Sequence, residues 1–313
     1  MNRSIYLGID IGATKTIFLV VKFGAGKFKI LEIARCSTPR KEMEILKMVE
    51  ENFKGLAEKY EIAGTGIGFA GPVDFKRGAA ITGPNLKTGK IEFKKTLERK
   101  LKIPVAVDND AKCFVLAESI FGAAKGCKNI VGLTIGTGIG GGIIIDGKIY
   151  RGATGSAGEF GHTNISEDSE WEAIASGSGL ANIYQKISGS PRFAGGEAGK
   201  KLDSFAIIGL AEKKNKNALK SVETVAENLG IGLANIVKIF NPEIIVLGGG
   251  LAEVDLIVKK AKEYAKKKVF LPSLTKTPVV VSKLGQNAVA LGAAYLARNS
   301  NANLARLKKT SLV

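Results

Sequence analysis

Cysteine is scarce in this chain: Cys36, Cys113 and Cys127 are the three in 313 residues, and no two form a Cys-x-x-Cys pair. That count excludes a disulfide framework and fits a reducing compartment. No apolar run approaches the roughly 20 residues a helix needs to cross a bilayer. The stretch from Met1 to Asp10 lacks the basic, apolar, small-residue order of a secretory signal. The expectation is a soluble, cytoplasmic protein with no membrane partner. Proline is sparse, at eight residues, and neither proline nor serine gathers into a linker. Histidine occurs once, at His162, with no cysteine nearby. Zinc takes three or four protein ligands, so no zinc site is expected there.

Acidic residues are also in deficit. There are 29 of them against 46 lysines and arginines, a formal charge of +17. The basic residues are densest at 259–268 and 306–309 and are not interleaved with aromatics in the manner of a nucleic-acid module. The charge therefore reads as a solvated lysine surface, and no nucleic-acid partner is expected. Binding of polyanions such as polyphosphate is the lesser alternative. What remains is ordinary for a globular protein, with 45% hydrophobic and 24% charged residues. The length suits two domains and a core that needs no staple.

The pattern of apolar residues alternates between strand and helix. Residues 5–9 and 16–21 are β-branched runs flanking a Gly/Thr/Lys turn, which predicts a hairpin. An amphipathic helix is expected at 42–60, with Ile45, Val49, Phe53 and Leu56 on one face. Short strands are expected at 65–70 and 104–107, a loop at 78–89 and a helix at 111–124. The middle repeats the opening: strand 130–135, glycine turn 136–142, strand 143–145, then the hairpin signal Asp146-Gly147. Helices follow at 172–184, 202–211, 219–240 (stopped by Pro242), 254–268 and 288–297, with strands at 244–247 and 279–282. This alternation is that of an α/β protein. The repeated strand–turn–strand unit places a domain boundary near Asp110.

Several of these turns can carry chemistry. In Asp10-Ile11-Gly12-Ala13-Thr14-Lys15 small residues leave backbone N–H groups free to face an anion. Thr14 adds a hydroxyl and Lys15 a charge, and Asp10 could hold Mg²⁺ through water. In Gly136-Thr137-Gly138-Ile139-Gly140-Gly141 the glycine spacing meets the dinucleotide fingerprint, but a strand rather than a helix follows. That fingerprint needs the helix N-terminus, so it is rejected in favour of a glycine hairpin close to phosphates. The Walker pattern is absent as well. Asp108-Asn109-Asp110 closes a strand, where a general base or a helix cap belongs, and spacing alone does not choose between Asp108 and Asp110. Glu159, His162 and Glu172 are polar groups of the kind that fix sugar hydroxyls, and Gly248-Gly249-Gly250 ends a strand as a second close-approach turn.

Taken in order, these segments resemble the ROK family of sugar kinases over nearly the whole chain. Asp10-Ile11-Gly12-Ala13-Thr14-Lys15 is similar to its first phosphate motif, with Ala13 in place of a glycine. Thr137-Gly138-x-Gly140-Gly141 is similar to the second, and Gly71-Pro72-Val73-Asp74 and Pro84-Asn85-Leu86 to the sugar-side loops. Asn109-Asp110-Ala111 resembles the motif whose Asp is the catalytic base, which selects Asp110. Gly158-Glu159-Phe160-Gly161-His162 and Glu172-Ala173-x-Ala175-Ser176-Gly177 resemble sugar-binding segments. The cysteine-rich zinc motif of many members is missing from the interval 163–171.

The resemblance implies an α/β, two-domain actin/hexokinase-type ATPase fold with ribonuclease H-like domains. The smaller domain would span 1–110 and the larger 111–287, with the last helix, 288–299, packing back on the first. It implies an ATP- and Mg²⁺-dependent hexose kinase, glucokinase first, with Asp110 as base. Gly71, Asn85, Asn109, Glu159, His162 and Glu172 would hold the sugar. Gly12, Thr14, Lys15, Thr137, Gly138, Gly249 and Gly250 would hold the nucleotide, and Asp10 the metal. Fructokinase, N-acetylhexosamine kinase and polyphosphate-using glucokinase are the enzyme alternatives, and a sugar-sensing regulator is the other class. The family's DNA-binding members carry an added N-terminal helix-turn-helix, and none is expected here, since the sequence opens on the phosphate hairpin. A homodimer or homotetramer is expected.

Overall fold

The structure, a computed structural model, describes residues 4–83, 86, 88–166, 169–189 and 202–310, with backbone only at 166 and 301–310. The chain opens with β1 (Ile5–Ile11), β2 (Lys15–Phe23) and β3 (Phe28–Ser37), then α1 (Glu42–Ala57) and β4 (Ile62–Phe69). Two short strands, β5 (Val73–Asp74) and β6 (Ala79–Ala80), precede α2 (Phe93–Leu101), β7 (Val105–Asn109) and α3 (Asp110–Phe121). β8 (Ile130–Ile135), β9 (Ile139–Ile145) and β10 (Lys148–Tyr150) follow. Next come β11 (Asn164–Ser166), β12 (Ser169–Glu170), α4 (Trp171–Ala175) and α5 (Gly177–Ser188). The chain closes with α6 (Ser204–Glu212), α7 (Lys216–Phe240), β13 (Ile244–Gly248), α8 (Asp255–Lys268), β14 (Val279–Val281) and α9 (Ala288–Thr310). Among the described residues, no helix is long and apolar enough to cross a membrane.

Contacts divide the chain into two compact units: Met1–Gly126 with Gly142–Ala157 and Lys283–Val313, and Cys127–Gly141 with Gly158–Ser282. The first is built on the sheet β3-β2-β1-β4-β7. β1 is antiparallel to β2 and parallel to β4, which is parallel to β7. The sheet is covered on both faces, so β4 is buried along its whole length, as parallel strands are. One face packs α1 and α2 through Ile45, Val49, Phe53, Phe93 and Leu97. The other receives α9. Gly8 and Gly66 are the reason it can approach, because a Cβ at either would overlap the carbonyl of Ala290 or Ala293. The hairpin formed by β10 and the later part of β9 belongs to this unit too.

In the second unit β8, β13 and β14 are parallel neighbours in that order. α7 is the central helix. Asn215 caps its start by accepting from the Ala218 N–H at 3.0 Å, and Asn241 ends it in the left-handed conformation, φ 41°, just before Pro242. Val225, Leu229, Leu233 and Val237 form its buried stripe. Trp171 is buried against it: its indole N–H donates to the Asn228 carbonyl at 2.9 Å, and its ring fills the space left by Gly232.

The pattern reading leaves 28–37 and 93–101 unassigned, and they form β3 and α2. β3 is an edge strand that is only half-buried, with Lys29, Glu32 and Arg35 breaking its apolar run. α2 shows three apolar positions, Phe93, Leu97 and Leu101, among five charged ones. The single helix expected at 172–184 is two. It breaks at Ser176, whose extended backbone and side chain cap α5 by accepting from the Gly179 N–H.

Candidate active site

The site residues read from the sequence fall into two groups, one in each unit. In the first unit the parallel strands β1, β4 and β7 end at one edge, because Asp10 pairs with Gly68 and Gly68 with Asp108. Ligands of open α/β sheets bind at the carboxyl ends of strands. The β1–β2 turn is closed by the Gly12 N–H donating to the Lys15 carbonyl at 3.1 Å, leaving Thr14 and Lys15 exposed at its tip. The Lys15 ammonium donates to Gln286 Oε1 at 3.0 Å.

At the end of β7 the two aspartates stand in different surroundings. Asp108 is 2% exposed; its Oδ2 accepts from Arg151 Nε (3.0 Å) and Nη2 (2.6 Å), and its Oδ1 from the Asn109 N–H (2.9 Å). It is a buried, paired charge that anchors the β10 side of the unit. Asn109 is the N-cap of α3, accepting from the Lys112 N–H, and its amide donates to the Gly71 carbonyl (3.2 Å) and to Asp110 Oδ1 (2.9 Å). The Ala111 N–H donates to the same oxygen at 2.8 Å. The Asp110 carboxylate is thus oriented at the mouth of the strand edge.

Asp10 lies close enough to feel it. Burial pushes the Asp10 carboxyl up to about 7, the Asp110 charge adds to the shift and Lys15 opposes it. Two carboxylates that repel at a strand edge suit a divalent cation, and Mg²⁺ asks the protein for only one or two carboxylates beside water and phosphate. Among the described residues no group of three or more His, Cys, Asp and Glu side chains could cage a metal. Asn85 lies outside the described residues.

In the second unit two glycine turns lie side by side, since Thr134 at the end of β8 pairs with Gly248 at the end of β13. Gly249 has φ 87°, and a side chain there would collide with the backbone of Ile135. Thr137 is exposed at the first turn and Gly249 at the second. Glu172 is placed by α4, and its Oε2 accepts from the Ile139 N–H at 2.7 Å. Glu159 and His162 sit on the segment before β11, both exposed. His162 Nδ1 bonds Glu170 Oε2 at 2.9 Å. That hydrogen bond, with the charges of Glu170, Glu172 and Glu159, raises the imidazole pKa against partial burial. The sequence reading passes over Glu170 and Arg151. Neither lies in a motif, and each is brought to its partner by a hairpin, β11–β12 and β9–β10 respectively.

The ROK family profile matches residues 6–300. Glucokinase of Streptomyces coelicolor is 32% identical over 93% of this chain and 97% of its own length. The xylose repressor of Caldicellulosiruptor bescii is 30% identical over 91% of this chain and 76% of its own. A ROK family glucokinase from Streptomyces griseus, solved with glucose and AMPPNP, superposes with TM-score 0.83 at 29% identity, covering 94% of this chain and 99% of its own. The fold is therefore the α/β, actin/hexokinase-type fold that the motifs implied.

Proposed function

The chain belongs to the ROK family, and on that premise we propose that it is an ATP-dependent hexose kinase, with glucose the first candidate and O6 the acceptor. Asp110 is the general base. The single observation that carries this reading is its setting: Asp108 is committed to Arg151 and to backbone, whereas Asp110 is oriented by Asn109 and the Ala111 N–H beside Asp10. Asp110 accepts the hydroxyl proton as the oxygen attacks the terminal phosphorus of ATP, whose bond to the bridging oxygen breaks to release ADP. Gly71, Asn85, Asn109, Glu159, His162 and Glu172 bind the sugar. The turns carrying Gly12, Thr14, Lys15, Thr137, Gly138, Gly249 and Gly250 receive the phosphates through backbone N–H groups and hydroxyls. Asp10 would hold Mg²⁺ through water, and the ion supplies charge neutralisation at the phosphates when bound. Alignment and charge neutralisation are the main demands of phosphoryl transfer, which such turns meet.

The test is ADP release with glucose, mannose, fructose, N-acetylglucosamine and N-acetylmannosamine, for the wild type and Asp110→Asn. Turnover on one or two sugars, lowered about 10²- to 10⁴-fold by the substitution while the sugar still binds, is the expected result. A near-normal kcat in Asp110→Asn would remove the base assignment. A second reading, a sugar-binding regulator, is favoured by the likeness to the xylose repressor. Sugar binding without turnover on any of the five would support it.

A further inference from the structure

The resemblance assigns Glu172 to the sugar, but its carboxylate is built into the glycine turn read as a phosphate site. Its Oε2 accepts the Ile139 N–H at 2.7 Å, immediately after that turn. The same carboxylate fills the place where Gly138 has no side chain, since a Cβ on Gly138 would overlap Oε2 and Cδ. The neighbouring contacts run the same way. The Gly177 N–H donates to the Gly136 carbonyl at 2.8 Å and the Ser178 N–H to the Thr137 carbonyl at 3.2 Å, so the start of α5 is laced to the turn. Gly161, between Glu159 and His162, lies against the Ile139 carbonyl and the Glu172 Cβ. Behind these contacts, Trp171 fixes α4 to α7 through the Asn228 carbonyl. α4 therefore has a rigid back, and its one acidic side chain, Glu172, reaches the turn.

We propose that Glu172 is a positioning residue that couples the two substrates, holding the Gly136–Gly138 turn in place for the phosphates with one face of its carboxylate while engaging the sugar. This rests on the kinase reading for the identity of the ligands. A carboxylate shared between a backbone N–H and a sugar hydroxyl links both sites, and such coupling is reciprocal: each ligand tightens the other by the same factor. It also transmits disturbance. Gly138 touches no sugar in this scheme, yet a side chain there displaces the carboxylate that does.

Calorimetric titration tests this. In the wild type, AMPPNP with Mg²⁺ should bind about tenfold more tightly when the hexose turned over in the panel is saturating. Gly138→Ala should weaken that hexose about tenfold with no nucleotide present. Glu172→Ala should abolish the mutual tightening, and Glu172→Gln, which keeps an oxygen for the Ile139 N–H, should retain part of it. Equal AMPPNP affinity with and without the hexose in the wild type overturns the coupling and leaves the kinase reading standing. So does a folded Gly138→Ala protein with normal hexose affinity. The wild-type comparison stands even if Gly138→Ala does not fold. A wild type that binds neither ligand overturns both readings.

Discussion

At the scale of the residue, identical side chains two positions apart lie in opposite settings. Asp108 points into the unit and is neutralised by Arg151; Asp110 begins α3 and faces the strand edge. The end of the strand separates them: alternation would put residues two apart on one face, but β7 stops at Asn109 and Asp110 is already the first residue of α3. Asp10 carries a measurable consequence. Its folded-state carboxyl lies near 7 against an ordinary 3.8, so the native state holds more protons than the unfolded chain between those values. Stability therefore falls as pH rises through that window, by at most about 1.4 kcal/mol per unit, and levels off above it. Asp10→Asn removes the ionisation. Its melting temperature in EDTA should exceed the wild type's at pH 8 and converge on it near pH 4, and a variant less stable at pH 8 would contradict the burial argument.

At the scale of the element, glycine decides what can lie on what. The hairpin β1–β2 and the long helix α7 were legible because their apolar periods are uninterrupted and their ends carry recognisable turn residues. β3 and α2 were not, because charged residues interrupt the apolar run of the edge strand and outnumber the three apolar positions of the short surface helix. The role of Gly8 and Gly66 was hidden for another reason. Each reads as a mere weak point in a strand, and only the presence of α9 shows that the missing side chain is the fit. Gly66→Ala should push α9 from the sheet and cost about 1–3 kcal/mol or more. Thermal unfolding should show a fall of several degrees. An unchanged melting temperature would mean that α9 approaches less closely than described.

At the scale of the whole molecule, the charge of +17 acts as a field rather than as a site. Lysines of α8 such as Lys259, Lys266 and Lys267 are solvated, and exposed ion pairs contribute little to stability. A field of this sign favours polyanions and is screened by salt. Binding of a long polyphosphate chain should weaken about tenfold or more between roughly 50 and 200 mM salt. The KM for an uncharged hexose should stay constant over the same range. Salt-independent polyphosphate binding would point to a dedicated site instead of the surface.

The sequence alone determined the α/β class, the two glycine hairpins, the ordered motifs and the family, because each depends on local period, turn chemistry or the order of short segments. Its spacing did not choose between Asp108 and Asp110, and it contained no sign of the Arg151 and Glu170 pairings or of the contact between Glu172 and the Ile139 N–H. Those were decided by tertiary structure. Asp108 meets Arg151 across 43 positions and Glu172 meets Ile139 across 33. Partners so far apart in sequence leave no periodic or turn signal: only the pairing of strands and the packing of helices sets which polar groups face each other, and so which carboxylate is neutralised by a buried guanidinium.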